Sequence, residues 1–502
     1  MRGIVVLVLA VFAVVLSVSP AQAAPDGTLR LTSTTVKIGD PITFSFSTPR
    51  PDAQNWVGLY QDPGNGPVNE EFVGPSTKWV YTPESSGTGS LPTEGLPAGD
   101  WIVYYLYNDG YTWLAQPVKL QLVASGPVSW VSSAFPLRNG QVGSDYSASV
   151  ARLVRGNTAG LSFRKVSGPS WLTVSPGGTA GGTPTASGTI TAGIEASNST
   201  GSKATATVTI RVQASGAALV PELKVMSYNL WHGGTPVNGY RDKQLKFLLD
   251  RDVDVVGIQE NEGTSAQALA DALGWSYHQN SDVAILSRYP ISATGSGTAS
   301  VWAKVRLGTR SAVLWSAHLG YTPYGPYDAC FGGMSVQQLM DRESRSGRTG
   351  QINSIISAMN TDLANSGSTP VFLVGDFNAP SHLDWTSANS HCGYGQVSWP
   401  TSTAPVNAGL TDSYRAAHPN PATAPGITWS PIYKTFTGGY GYDSHTGEPE
   451  PQDRIDFVYF KGALDVLSSE AVVEGDPALY PNHQNNAWTS DHAAVLTTFR
   501  IR

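Results

Sequence analysis

Val371-Phe372-Leu373-Val374-Gly375-Asp376-Phe377-Asn378 opens as an unbroken apolar run and closes on an acid and an amide two residues apart. A short apolar run that meets polar turn formers reads as a strand buried on both faces. Upstream the same grammar recurs. Strands are predicted at 223–228, 253–259, 283–286, 301–305 and 312–317, with helices at 243–250, 266–273 and 350–364. Strands alternating with helices indicate an α/β domain.

The polar residues that end these apolar runs are the informative ones. Asn229 follows Val225-Met226-Ser227-Tyr228, Glu260 follows Val255-Val256-Gly257-Ile258-Gln259, and His318 follows Val313-Leu314-Trp315-Ser316-Ala317. Asp456 lies in Arg454-Ile455-Asp456-Phe457-Val458-Tyr459, and Asp491-His492 precede Ala493-Ala494-Val495-Leu496. Singly, a strand-end Asp or Asn is a turn former or a helix cap, and a lone His is more often structural. Together they place carboxylates, amides and imidazoles on one sheet edge. Like charges do not gather in a cleft without a compensating cation. Oxygen donors with few His and no thiolate favour Mg²⁺, with Mn²⁺ and Ca²⁺ as alternatives, over structural zinc.

Six motifs occur in order: Ser227-Tyr228-Asn229, Ile258-Gln259-Glu260, Ala317-His318-Leu319, Gly375-Asp376-Phe377-Asn378, Arg454-Ile455-Asp456-Phe457 and Ser490-Asp491-His492. In these the chain over 221–502 resembles the endonuclease/exonuclease/phosphatase superfamily. The resemblance implies a four-layer α/β/β/α sandwich and metal-dependent hydrolysis of a phosphate ester. It implies metal ligation by Asn229, Glu260 and Asp491. Catalytic roles fall to His318, Asp376, Asn378, Asp456 and His492. Asp376 and Asn378, on one face if the strand runs through both, would orient the attacking water and the phosphate. His492 would be general base or electrostatic partner of the phosphate, with Asp456 fixing its tautomer. His318 would act from the opposite side, as acid or phosphate ligand. His232, three residues past Asn229, either reaches the phosphate or lies on a surface loop. Arg348 and Gln351 share a helix face at i, i+3, with a structural role expected. His382 and Asp384 either shape substrate contacts or stabilise their loop.

Before residue 221 the chain changes character. Met1-Arg2-Gly3, an apolar run from Ile4 to Leu16, and Ala21-Gln22-Ala23 read as a secretory signal peptide over 1–23. The run is short for a membrane anchor, which needs about 20 apolar residues. A secreted, extracellular protein with no transmembrane segment in the mature chain is expected. Residues 27–124 alternate apolar and polar positions, as in Ile42, Phe44 and Phe46, between Pro-, Gly- and Asn-rich turns. They read as a β-sandwich of Ig-like size. Residues 126–215, ending in the alternating strand 204–212, read as a second Ig- or cadherin-like β module. Ser215-Gly216-Ala217-Ala218 reads as a linker. Export permits a disulfide between the two cysteines, Cys330 and Cys392.

For substrate, the net charge of −7 gives no broad attraction to nucleic acid. The loops 320–330 and 437–442 carry Tyr321, Tyr324, Tyr327, Tyr440 and Tyr442 among glycines. Such rings pack on a sugar, a base or a choline-like head group, or simply on each other. Asp328-x-Cys330 after His318, followed by Arg348-x-x-Gln351, is similar to bacterial sphingomyelinases. A lipid-derived or small organic phosphodiester is therefore the leading expectation. An extracellular nuclease is the alternative, kept open by Arg342, Arg345 and Arg348. A surface- or polysaccharide-binding protein is the alternative of another class. The β modules are expected to contribute cell-wall or polysaccharide contact.

Overall fold

The computed structural model describes residues 25–502 except Pro63 and Gly95. The leader segment read over 1–23 lies outside the described residues. The chain divides into two compact units, Met1–Gly126 and Pro127–Arg502.

In the first unit, Thr28–Leu31, Ile42–Ser47 and Ser86–Leu91 form a three-stranded sheet. Thr35–Lys37, Val118–Val123, Gly99–Leu106, Trp56–Gln61 and Lys78–Tyr81 form a five-stranded one. Ile42, Phe44 and Phe46 are buried while Thr43 and Ser45 are exposed. This period-two pattern fixes which face of the strand meets the core. Val57, Leu59, Val103 and Tyr105 of the larger sheet join them in one apolar cluster.

The second unit begins with β strands and continues into the α/β region. Gly188–Ser197 and Lys203–Gln213 form a long antiparallel pair flanked by Ser162–Ser167 and Ala134–Pro136. From Glu222 onward there are two six-stranded sheets. One has the order Ser276–Gln279, Ala284–Ser287, Val255–Gln259, Glu222–Asn229, Ala494–Ile501, Leu464–Val472. The other runs Ile291–Gly297, Ser300–Leu307, Arg310–His318, Val371–Asp376, Asp456–Lys461, Thr411–Asp412. Val225, Val255 and Ile285 of the first meet Val305, Leu314, Phe372 and Val374 of the second in a shared core. Tyr240–Asp250 and Ser265–Leu273 bury Leu245, Leu248, Leu269 and Ala270 in a cluster with Met226, Val256 and Ile258 of the first sheet. Arg348–Ala358 buries Ile352 and Ile355 in a cluster with Trp315, Leu373 and Tyr459 of the second. The stretch expected as one helix over 350–364 is two, Arg348–Ala358 and Asn360–Ala364, meeting at the fully buried Met359.

The β strands over 127–215 do not stand apart from the α/β region, with which they form one compact unit. Phe135, Leu137, Leu153 and Ile210 belong to the same apolar cluster as Leu249, Leu269 and Leu273. Polar contacts cross the same seam. Ser132 Oγ donates to Asp250 at 3.0 Å, Asn139 Nδ2 donates to the Leu219 carbonyl at 2.9 Å, and Arg211 pairs with Asp252 at 2.8 Å.

Candidate active site

Three neighbouring strands deliver their polar residues in register. His318 lies opposite Asp376, and Asp376 lies opposite Asp456. Gly375 makes this possible, because a Cβ there would overlap the Ala317 carbonyl on the adjacent strand. The other sheet brings Asn229 in register with Gln259, one residue before Glu260. Several non-glycine residues here occupy left-handed backbone: Trp231 (φ 57°), His232 (φ 48°), Glu260 (φ 55°) and Asn378 (φ 49°). Such conformations cost free energy and gather where side chains must be aimed.

Asp376 is the hub. Asn229 Nδ2 donates to Asp376 Oδ2 and to Glu260 Oε1, each at 3.1 Å. The Asn378 N–H donates to Asp376 Oδ1 at 2.8 Å. The Nε2 atoms of His318 and His492 both lie 3.7 Å from Asp376 Oδ2. Each imidazole is held from behind by a carboxylate. His492 Nδ1 lies 2.9 Å from Asp456 Oδ2, and His318 Nδ1 lies 3.0 Å from both oxygens of Asp282. A carboxylate behind Nδ1 fixes the tautomer and leaves Nε2 facing the site.

The electrostatics follow from this packing. Burial pushes the Asp376 carboxyl up to about 6, against the pull of His492 and His318. Burial disfavours charge on His318, but the Asp282 hydrogen bond and Asp376 outweigh it and raise the ring to about 9. Burial likewise opposes charge on His492, and Asp456 and Asp376 more than offset it, holding the imidazolium well above its ordinary range. Glu260 is desolvated too, yet the His232 N–H at 2.6 Å, His492 and Asn229 keep its carboxyl below its usual value. Two cationic imidazoles facing buried carboxylates suit a bound phosphate and an activated water.

The donor set fits a divalent cation. Burial pushes Asp491 up to about 7, with Glu260 adding repulsion, and its Oδ1 is buried without a hydrogen-bond partner. Such a carboxylate is short of positive charge. Asp376, Asp456 and His492 also converge, their candidate ligand atoms lying within 4.8 Å of one another. Within that trio Asp456 Oδ1 is buried without a hydrogen-bond partner, as Asp491 Oδ1 is, while Glu260 accepts from Asn229 Nδ2 and the His232 N–H. Asn229 differs from the expectation of a simple ligand. Its Oδ1 accepts the Trp231 N–H at 2.9 Å and its amide N–H groups hold the carboxylates.

Asn378 does not share a strand face with Asp376. The strand ends at Asp376, and the left-handed turn at Asn378 sends its Nδ2 to the Leu319 carbonyl at 2.9 Å. His232 reaches Glu262 at 3.0 Å through Nδ1 while its backbone serves Glu260. His382 meets Ser402 Oγ at 2.8 Å. Asp384 is buried against Arg415 and Arg454, a structural pair of contacts. Arg348 is fully buried, paired with Glu343, and donates to the Gly320 and Pro323 carbonyls at 2.9 and 2.7 Å. Gln351 accepts the Gly320 N–H at 2.8 Å, so Arg348 and Gln351 clamp the chain just past His318. Arg342 grips Asp328 with two hydrogen bonds, at 2.8 and 2.9 Å. A disulfide joins Cys330 and Cys392 beside this segment.

Sequence reading missed Asp282 and Trp429. Asp282 sits in the Asn280-Ser281-Asp282 turn, whose only local signal is turn chemistry. Trp429 lies on the His492 ring, with centroids 5.0 Å apart.

A buried acid outside the site gives a pH test. Burial pushes the Asp453 carboxyl up to about 7, although Trp385 Nε1 donates to it at 2.7 Å. An unfolded Asp titrates near ~3.9. The folded chain therefore keeps a proton that the unfolded chain releases between about pH 4 and 7. Stability falls as pH rises through that window, and the cost is complete above it. Asp453→Asn keeps an acceptor for Trp385 and cannot ionise. Its Tm should rise at about pH 8 and change little at about pH 4. An equal shift at both would show that ionisation is not the cause.

Residues 226–492 match the Endonuclease/Exonuclease/phosphatase family. The chain is 33% identical over 293 residues to the uncharacterized protein F14F9.5 of Caenorhabditis elegans, covering 55% of this chain and 91% of that one. Among solved structures it is similar to TDP2 from C. elegans, at 16% identity and a TM-score of 0.36, covering 56% of this chain and 74% of that one. It is also similar to the AP endonuclease LMAP from Leishmania major, at 12% identity and a TM-score of 0.34, covering 56% and 89%.

Proposed function

Because the chain belongs to the endonuclease/exonuclease/phosphatase family, a family of phosphoric ester hydrolases, we propose that it is a secreted, divalent-metal-dependent phosphodiesterase acting on a lipid-derived or small organic phosphodiester. The observation that carries this reading is Asp376 set between two carboxylate-backed histidines, with Nε2 of His318 and of His492 each 3.7 Å from it.

Glu260 and Asp491 would hold the cation, which supplies charge neutralisation for the phosphoryl oxygens. Asp376, raised towards neutral pH, is placed to take the proton of the attacking water. His492 and His318 present N–H groups to the phosphoryl oxygens from two sides. Asn229 keeps Glu260 and Asp376 at fixed separation, and Asn378 orients Asp376 through its backbone N–H.

The organic-ester reading is supported by how the arginines are used. Arg348 and Arg342 are spent on Glu343 and Asp328, leaving Arg345 exposed. A nucleic-acid backbone would want such cations free at the mouth. For the first unit, the exposed Phe72 and Trp79 support a surface- or polysaccharide-binding role.

The test is hydrolysis by purified protein with Mg²⁺, Mn²⁺, Ca²⁺ or EDTA. Sphingomyelin, glycerophospholipids, their deacylated head-group diesters, inositol phosphates, DNA and RNA would be compared. Cleavage of nucleic acid alone would move the protein to the nuclease alternative. Within the same assay, Glu260→Gln should demand a higher metal concentration for half-maximal activity, by roughly tenfold. An unchanged metal titration would remove Glu260 from the cation site.

A further inference from the structure

Glu450 is a buried carboxylate that forms no ion pair among the described residues. It is 5% exposed. Its Oε1 accepts two hydrogen bonds, from Tyr327 Oη at 2.7 Å and from Trp429 Nε1 at 2.8 Å. No described Lys, Arg or His forms an ion pair with it. The nearby Lys434 turns its Nζ to the Ser430 carbonyl and Gln452 Oε1, both at 2.6 Å. A buried acid without a counter-charge is costly, and such groups gather at functional sites more often than elsewhere.

The two donors belong to two files of rings. In one, Tyr327 lies 5.5 Å from Tyr440, and Tyr440 lies 6.0 Å from Tyr321. In the other, Trp429 lies 5.6 Å from Tyr433, and Tyr433 lies 5.1 Å from Tyr480. The outer ends are open to solvent: Tyr321 is 53%, Tyr440 52% and Tyr480 48% exposed. The inner end of the second file is the ring of His492. Glu450 thus bridges two aromatic files, one of which leads to the catalytic histidine.

We propose that Glu450 and the two aromatic files form a subsite for a quaternary or alkyl ammonium group carried by the phosphodiester. Ring faces attract such a cation through their quadrupoles, and a desolvated carboxylate adds a full charge. A neutral sugar or an anionic inositol phosphate gains nothing from the acid. A nucleobase would find stacking faces here, but being neutral it would gain nothing from the acid. This subsite rests on the phosphodiesterase reading and names the substrate class within it.

The test compares p-nitrophenyl phosphorylcholine with its uncharged carbon isostere, p-nitrophenyl 3,3-dimethylbutyl phosphate. Both are cleaved by water to p-nitrophenol and the alkyl phosphate, and bis(p-nitrophenyl) phosphate reports the bare chemistry. The choline ester should show kcat/KM about tenfold or more above the isostere. Glu450→Gln, which keeps an acceptor for Tyr327 and Trp429, should abolish that preference and leave the isostere unchanged. Glu450→Asp should retain part of it. Calorimetry should show phosphocholine binding more tightly than 3,3-dimethylbutyl phosphate to the wild type alone. Equal turnover of the two esters by wild type overturns the subsite and leaves the phosphodiesterase reading standing. An equal loss on both esters in Glu450→Gln makes Glu450 a structural acid and also overturns it. Failure to cleave bis(p-nitrophenyl) phosphate with any metal overturns the phosphodiesterase reading and the subsite with it.

Discussion

His492→Ala is expected to lower turnover by roughly 10²–10⁴-fold while the protein stays folded. The ring faces the site through Nε2, 3.7 Å from Asp376, and is held by Asp456 at 2.9 Å. Its removal takes away one of the two imidazoles that meet the phosphoryl group and leaves Asp456 facing a void. Losing the imidazolium leaves buried Asp456 and Asp376 with less counter-charge and should lower Tm, but the local backbone does not depend on the ring. The surrounding backbone is fixed independently: Ser490 Oγ accepts the His492 N–H at 3.0 Å and donates to the Asn229 carbonyl at 2.7 Å, and Trp488 Nε1 donates to the His492 carbonyl at 2.8 Å. All three bonds survive truncation to alanine. The measurements are kcat and KM on a soluble diester, with Tm and circular dichroism alongside. The loss should fall mainly on kcat, because the charge that the ring stabilises grows in the transition state. Asp456→Asn should lower kcat by less. The double variant should be no worse than His492→Ala, since Asp456 acts only through the ring. Near-normal turnover in His492→Ala would remove this residue from the chemistry.

The strand-end acids and imidazoles were legible because a buried strand is a strong local signal and its abrupt polar ending is another. Val371–Asp376 and Arg310–His318 are such strands, and sheet register then places His318 and Asp376 side by side. Period-two reasoning failed at Asn378, because it assumes the strand continues and the backbone there has turned left-handed. Asp282 was beyond reach for a different reason. Its partner His318 is 36 residues away, and a turn acid carries no sign of what the fold will bring to it. Glu450 lies in an irregular segment, where no periodicity announces burial. Arg348 was legible as a helix-face residue. Only the structure shows its guanidinium consumed by Glu343 and two carbonyls.

The seam at residues 127–217 is invisible to composition, because a Ser-Gly-Ala-Ala stretch marks a change of grammar and says nothing of packing across it. The structure makes a sharp expectation here. Protein beginning at Pro127 should melt close to the full chain and keep its activity on a soluble diester, since Pro127–Arg502 is one compact unit. Protein beginning at 218 should melt lower, on the order of 10 °C or more. Its newly exposed surface includes Leu249 and Leu273, which pack in one cluster with Leu137 and Leu153. Each buried leucine is worth about 1.5–3 kcal/mol relative to an exposed one. Two of them already approach half of the roughly 5–15 kcal/mol that keeps a domain folded. The cut also strips Asp252 of Arg211 and Asp250 of Ser132, leaving Arg288 and Lys224 to balance Asp252. Activity should fall with the folded fraction, and a pre-melting temperature should restore it per folded molecule. That distinction matters, because the seam braces helices that pack on the sheet carrying Asn229, whereas the hydrogen bonds that fix Glu260, Asp376 and Asp456 named above come from residues after 218. If both truncations melt at the same temperature, the β strands over 127–215 are a passive appendage, and the shared apolar cluster contributes nothing to the stability of the catalytic region.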